Sequence, residues 1–224
     1  MPEAEEDPEL SPPPRKGDVL FGAGEEFPIA NACLNFTTSD YGYREGYRRA
    51  GKLLAEYVCN ECKDQDLLVY PIVHNYRHHL ELMLKHLIGV GAYLSNSEIA
   101  PKIKKLALTS HNLKELWRAL KPILMGAGQS IGWDPDADAI EGIESYIEQV
   151  HAVDKGSFSF RYATDVEGAP SLPGMTYLNI YQFANLMERL ADYLDTIAFA
   201  FSIEEESKNE YEAYLRSFQD DYYE

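Results

Sequence analysis

The chain has 224 residues, 45% of them apolar, and a formal net charge of −17. The apolar share supports a real core and excludes wholesale disorder, and the length fits one domain with decorations. The charge excludes non-specific nucleic-acid binding by the surface as a whole.

No apolar run reaches the roughly 18–20 residues of a membrane span. The acidic start Met1-Pro2-Glu3-Ala4-Glu5-Glu6-Asp7 is unlike a secretory signal. Three cysteines, an odd number, argue against a disulfide framework. The expectation is a soluble, cytoplasmic protein of bacterial type without membrane contact.

Residues 1–17 are rich in Pro and Glu and predict a disordered acidic leader. Residues 18–37 are apolar with glycines and no helical period, so extended chain wrapping the domain is expected. Thr38, Ser39 and Asp40 offer N-caps for a first helix over about 41–60. Its apolar positions are Tyr47, Leu54, Tyr57 and Val58, with Arg44, Arg48 and Lys52 on another face.

A second helix is predicted from near Asp66 to about Tyr93. Val69, Val73, Tyr76, Leu80, Met83 and Leu87 step by three or four and form one apolar stripe. Pro71 falls near its first turn, where a missing N–H does least harm, while Gly89 and Gly91 weaken its far end. The polar, basic segment 95–109 predicts a short helix at 98–106. Ser110 is expected to cap a third helix over about 110–126 that buries Leu113, Leu116, Trp117, Leu120 and Leu124, and Gly126 and Gly128 are expected to end it.

Asp134-Pro135-Asp136 opens a fourth helix to about Val153, closed by Gly156. Residues 157–162 alternate Ser, Phe, Ser, Phe, Arg, Tyr, a strand period, and Glu167-Gly168 and Pro173-Gly174 mark turns. A small β-hairpin between 157 and 178 is therefore expected. Asn179 is expected to cap a last long helix over about 180–203. The acidic tail 204–224 spaces Tyr211, Tyr214, Leu215, Phe218 and Tyr222 for an extra amphipathic helix. The pattern predicts an all-α, up-and-down helical bundle over 18–203 with a small β-hairpin insertion and an extended leader.

Residues 76–121 hold eight Lys or Arg against three acids, so this stretch carries +5 and the remainder −22. Four of the six histidines, His78, His79, His86 and His111, lie in it. The stretch reads either as an anion-facing surface or as ordinary charge variation between helices.

Three short motifs follow one another in order. Glu81 to Leu87 reads Glu-x-x-Leu-Lys-x-Leu, His111 to Leu116 reads His-x-Leu-x-x-Leu, and Phe160-Arg161-Tyr162 stands near Asp165. Their order and spacing over roughly 41–200 resemble the HEPN superfamily of nucleotide-binding helical domains. The resemblance implies a helical bundle, homodimers, and roles in toxin–antitoxin systems, phage defence or nucleotidyltransferase partnership. HEPN ribonucleases carry an Arg followed after four to six residues by a His, and the two protomers' pairs meet at a dimer cleft to cleave RNA without a metal. This chain departs from that pattern. The His expected after Arg77 would fall on Leu82, Met83 or Leu84, and the one after Arg161 on Val166, Glu167 or Gly168. The implied function is a non-catalytic module binding RNA, nucleotide or a partner protein, with a diverged ribonuclease as the alternative.

The residues themselves offer one dense cluster. His74, His78, Glu81 and Lys85 step by four, three and four along a face opposite the apolar stripe, with Arg77 beside them. Imidazole exchanges protons near neutrality, Arg holds phosphate, and a carboxylate orients a His. The competing reading is a solvated face with ordinary i,i+4 ion pairs. Arg161 is expected either to reach into a ligand cleft or to pair with Asp165 or Glu167. His111, with Glu115 and Arg118 below it, reads as a local cap. Cys59, Cys62, His74 and His78 mimic zinc-finger ligands, but the cysteines end one helix while His74 lies about two turns into its neighbour. No metal and no cofactor is therefore expected. Phe21-Gly22-Ala23-Gly24 completes no dinucleotide fingerprint, and no phosphate loop or Ser–His–Asp order is present.

Overall fold

Among the described residues, apolar side chains at steps of three and four fold into six α-helices: α1 (Tyr41–Glu61), α2 (Gln65–Leu94), α3 (Pro101–Thr109), α4 (Leu113–Ser130), α5 (Ala137–Val153) and α6 (Ile180–Asp220). The computed structural model describes residues 13–16, 20–25, 27–34, 40–94, 101–130, 132 and 136–220. The chain divides into two units, Met1–Thr38 and Ser39–Glu224. Most of the leader expected at 1–17, and the proposed caps Thr38 and Ser39, lie outside the described residues.

The first unit contains one 3-10 turn, Pro28–Ala30. The Asn31 side chain closes a loop on Gly24, accepting its N–H at 2.8 Å and donating to its carbonyl at 2.9 Å. None of this unit's described side chains is buried.

In the second unit α2 is the central element and touches α1, α3, α4 and α6, while α5 rests on α4. Of the expected stripe, Val73, Tyr76, Leu80, Met83 and Leu87 are buried and Val69 is half-buried. Ile72, Leu84 and Ile88 are buried as well, because helices cover α2 on several sides. Two glycines set how closely the neighbours approach. A Cβ on Gly51 would lie 3.0 Å from the Tyr76 ring, and one on Gly91 would lie 3.0 Å from Ile123. The glycine expected to weaken the end of α2 is thus where α4 seats against it. Among the described residues, no helix is long and apolar enough to cross a membrane.

Several expectations change in detail. Arg44 and Arg48 do not share an outer face of α1. Arg44 is buried, and Arg48 binds Glu188 at 2.9 Å, Asp195 at 2.6 Å, and Asp192 on α6. Tyr57 instead is exposed. Asp40 occupies the N-cap position of α1 without a capping bond, its carboxylate turned to Arg44 at 3.3 Å and His86 at 3.3 Å. α4 starts at Leu113 rather than at Ser110, because the Asn112 side chain accepts the N–H groups of Lys114 and Glu115. It also runs through Gly126 and Gly128 to Ser130. α6 continues to Asp220, so 204–220 is no separate helix.

The expected β-hairpin is absent among the described residues. Only an isolated bridge joins Thr164 to Pro170. Local turns override the two-residue period: Ser157 has φ +63°, and the N–H groups of Arg161 and Tyr162 both return to the Phe158 carbonyl. Asp165 Oδ1 then accepts the N–H groups of Glu167 and Ala169, which tightens the next turn.

Leu80 and Leu87 are 1% and 0% exposed. Truncating either to Ala should cost about 2–5 kcal/mol. Urea unfolding would check this, and a loss near zero would place the stripe outside the core.

Candidate functional site

One helical face of α2 carries His74, Arg77, His78, Glu81 and Lys85, since these positions lie three or four residues apart. It is not wholly the solvated face of the competing reading, because two of its charged side chains are enclosed while His74, His78 and Lys85 are half-buried. Arg77 is fully buried and Glu81 is equally inaccessible.

Arg77 is a junction between three elements. Its Nη1 donates to Glu81 Oε2 at 3.0 Å, and its Nη2 donates to the His111 carbonyl at 2.5 Å before α4. Its Nε–H points at the carbonyl of Asp154, which caps the C-terminus of α5, at 3.4 Å. The Asp154 carboxylate lies 3.2 Å from the same nitrogen as an ion pair. Asp154 Oδ1 in turn accepts the N–H groups of Phe158 at 2.7 Å and Ser159 at 3.2 Å. The guanidinium therefore orders the start of the 157–178 loop.

Glu81 takes three donors. Besides Arg77, Lys85 Nζ lies at 2.9 Å and His111 Nδ1 at 2.8 Å from Oε1. Burial pushes its pKa up, but the bonds from Lys85 and Arg77 outweigh it and hold the carboxyl below its ordinary value. A carboxylate can only accept, so the His111 proton sits on Nδ1. The imidazole itself is 60% exposed, so Glu81 and His111 form an oriented carboxylate–histidine pair at the surface.

His74 and His78 stack at 5.9 Å between centroids, and His78 meets the Tyr47 ring edge-on at 4.3 Å. Both pKa values are lowered, first by burial. For His74 the next causes are the Arg161 and Arg77 cations. Arg161 is exposed, donates from Nε to the Ser157 carbonyl at 2.5 Å, and lies 5.5 Å from the Tyr162 ring. Below this loop, Phe160, Met175 and Leu178 line an apolar cleft of about 180 Å³ with Val73, Val150 and Phe183.

The five candidates thus divide by role. His74, Arg77, His78 and Glu81 gather on α2, while Arg161 stands on the loop after α5 and its cation is one cause of the lowered His74 pKa. Arg77 and Glu81 are framework, whereas Arg161 is open to solvent. Asp154 escaped sequence reasoning because its partner Arg77 is 77 residues away. The link between His111 and Glu81 spans 30 residues and overrides the local-cap reading. Among the described residues, no group of three or more His, Cys, Asp or Glu side chains is placed to hold a metal, and Cys59 and Cys62 are free and exposed.

Comparison with known protein families, curated proteins and solved structures gives no match to this chain.

Arg77→Ala leaves the buried Asp154 carboxylate without its cation and takes one of two cations from Glu81, and should cost about 3–5 kcal/mol. Denaturant unfolding at pH 7 would check this, and an unchanged midpoint would remove Arg77 from the framework.

Stability should also depend on pH in a definite direction. His74, His78, His79, His86 and His151 all have pKa values lowered from the ordinary 6.5, with burial as the first cause. Below 6.5 the unfolded chain takes up protons that the folded chain resists. Stability is therefore full above about pH 6.5 and falls as pH drops through the lowered values. Urea midpoints at pH 7.5 and 5.5 should differ in that sense. A higher midpoint at pH 5.5 would contradict the burial of these rings.

Proposed function

We propose that this chain is a non-catalytic HEPN-like binding module, a cytoplasmic homodimer of a bacterial defence or toxin–antitoxin type system. Within the choice of RNA, nucleotide or partner protein, its ligand is RNA. The observation that carries the reading is the state of Arg77 and Glu81. A cleavage site needs its cation and its acid–base groups within reach of the phosphodiester. Here the cation and carboxylate of α2 are enclosed and bound to each other, to His111 and to Asp154. Arg161, held at its Nε and set beside an aromatic ring, remains outside and suits a phosphate and a stacked base.

A second reading, a diverged metal-independent ribonuclease at a dimer cleft, is favoured by one observation. The exposed His111 imidazole is oriented by a buried carboxylate, the arrangement that serves a proton-transfer group.

The test uses the full chain and a labelled single-stranded RNA. Binding followed by anisotropy should weaken at least tenfold in Arg161→Ala, with an unchanged melting temperature and no cleavage by the wild type. RNA cleavage abolished by His111→Ala would transfer the assignment to the ribonuclease. No RNA binding at low salt would overturn both readings.

A further inference from the structure

Among the described side chains of α6, Phe201 is the last that is buried, yet the helix runs on to Asp220. Near its end Lys208 donates to the Tyr93 carbonyl at 2.5 Å, and the Tyr93 hydroxyl meets Asn209 at 2.8 Å and the Glu212 side chain. Beyond Glu212 about 12 Å of helix continues at 1.5 Å per residue. Tyr211, Tyr214, Leu215 and Phe218 follow the three-four step of one helical stripe and are 62%, 59%, 44% and 48% exposed. The Tyr214 and Phe218 rings pack edge-on at 4.6 Å, so the stripe is an organised apolar surface. Around it the helix is acidic, with Glu204, Glu205, Glu206, Glu210 and Glu212 against Lys208 and Arg216.

The complementary surface lies on the same chain. α3 contains Lys102, Lys104 and Lys105 and no acid. Lys102, Lys105 and Leu108, three residues apart, are exposed, Leu108 to 74%. This short helix offers one exposed apolar side chain at the end of a row of cations, where the end of α6 offers aromatics among carboxylates.

We propose that the acidic, aromatic end of α6 docks on α3 of a second copy of this chain, and that the exchange is reciprocal. The pairing supplies an apolar centre with a charged rim, the usual anatomy of a specific interface. Stripe-on-stripe pairing of two α6 ends would instead bring like charges together. The inference names the interface of the homodimer proposed above. Its readout is mass rather than RNA binding, so the two readings fail separately.

The test is a charge exchange on the full chain, with mass followed by sedimentation at low and high salt. The wild type should be a dimer that dissociates as salt screens the rim. Lys102→Glu with Lys105→Glu should be a monomer, and so should Glu210→Lys with Glu212→Lys. An equimolar mixture of the two variants should dimerise, because each acidic end then faces a basic α3 and each basic end an acidic one. Unchanged circular dichroism and melting temperature will show that both variants fold. A monomeric wild type, dimers in either variant alone, or a mixture that stays monomeric would each overturn the proposal. A dimer that survives both exchanges but is lost in Tyr214→Asp would assign the contact to stripe-on-stripe pairing instead.

Discussion

A guanidinium cannot be buried cheaply, and much of this fold is arranged around the one that has no exposure at all. Arg77 sits in the middle of α2 with no accessible surface. Its charge is met by two carboxylates and its N–H groups by two backbone carbonyls drawn from outside α2. Desolvating such an ion is offset only when geometry is good and the remaining donors are satisfied. Each acceptor lies on a different piece of chain: the turn before α4, the end of α5, and α2 itself. Satisfying Arg77 therefore specifies where α4 begins and where α5 stops, a requirement that apolar packing alone does not impose.

The same junction explains how an irregular loop can hold a fixed arrangement without a sheet. Asp154 faces Arg77 with one oxygen and the loop's N–H groups with the other. The loop begins from a fixed point, buries Phe160, and displays Arg161 one residue later. A hairpin would achieve such order through a ladder of backbone bonds; here a carboxylate, a left-handed Ser157 and an Asx turn at Asp165 supply it. The stacked His74 and His78 belong to the same neighbourhood. Burial and the nearby cations disfavour their protonation. The region thus keeps its positive charge on arginine and lysine rather than on imidazole.

Helix order and most of the core were legible in the sequence, because a 3.6-residue stripe such as Val73 to Leu87 is a local signal. The central position of α2 was not. Its sequence shows one apolar stripe and one polar face, which describes a surface helix. Only the placement of α4, α5 and the turn at His111 turns the polar face inward. The alternating Ser and Phe of 157–160 gave the wrong period for a related reason: a tertiary anchor at Asp154 decides the backbone there. Asn112 prevailed over Ser110 as the cap because its carboxamide oxygen reaches two N–H groups of α4, while Ser110 Oγ serves Asn112. Of the candidate residues, the sequence placed four on one face of α2 but did not show which of them are enclosed, since burial depends on partners 30 to 77 positions away.

Two kinds of charge therefore coexist in the chain and do different work. Arg48 and Arg77 are spent internally, the first clamping α1 to α6 through Glu188, Asp192 and Asp195, the second joining α2 to α4 and α5. Both clamps act across helices far apart in sequence, so neither can be replaced by an i,i+4 pair on one helix. The charges left outside are segregated by sign, basic on α3 and acidic along the end of α6. Segregation of this kind contributes nothing to one copy's core. It becomes favourable only when a second surface of opposite sign is brought to it, and this chain presents both surfaces at once.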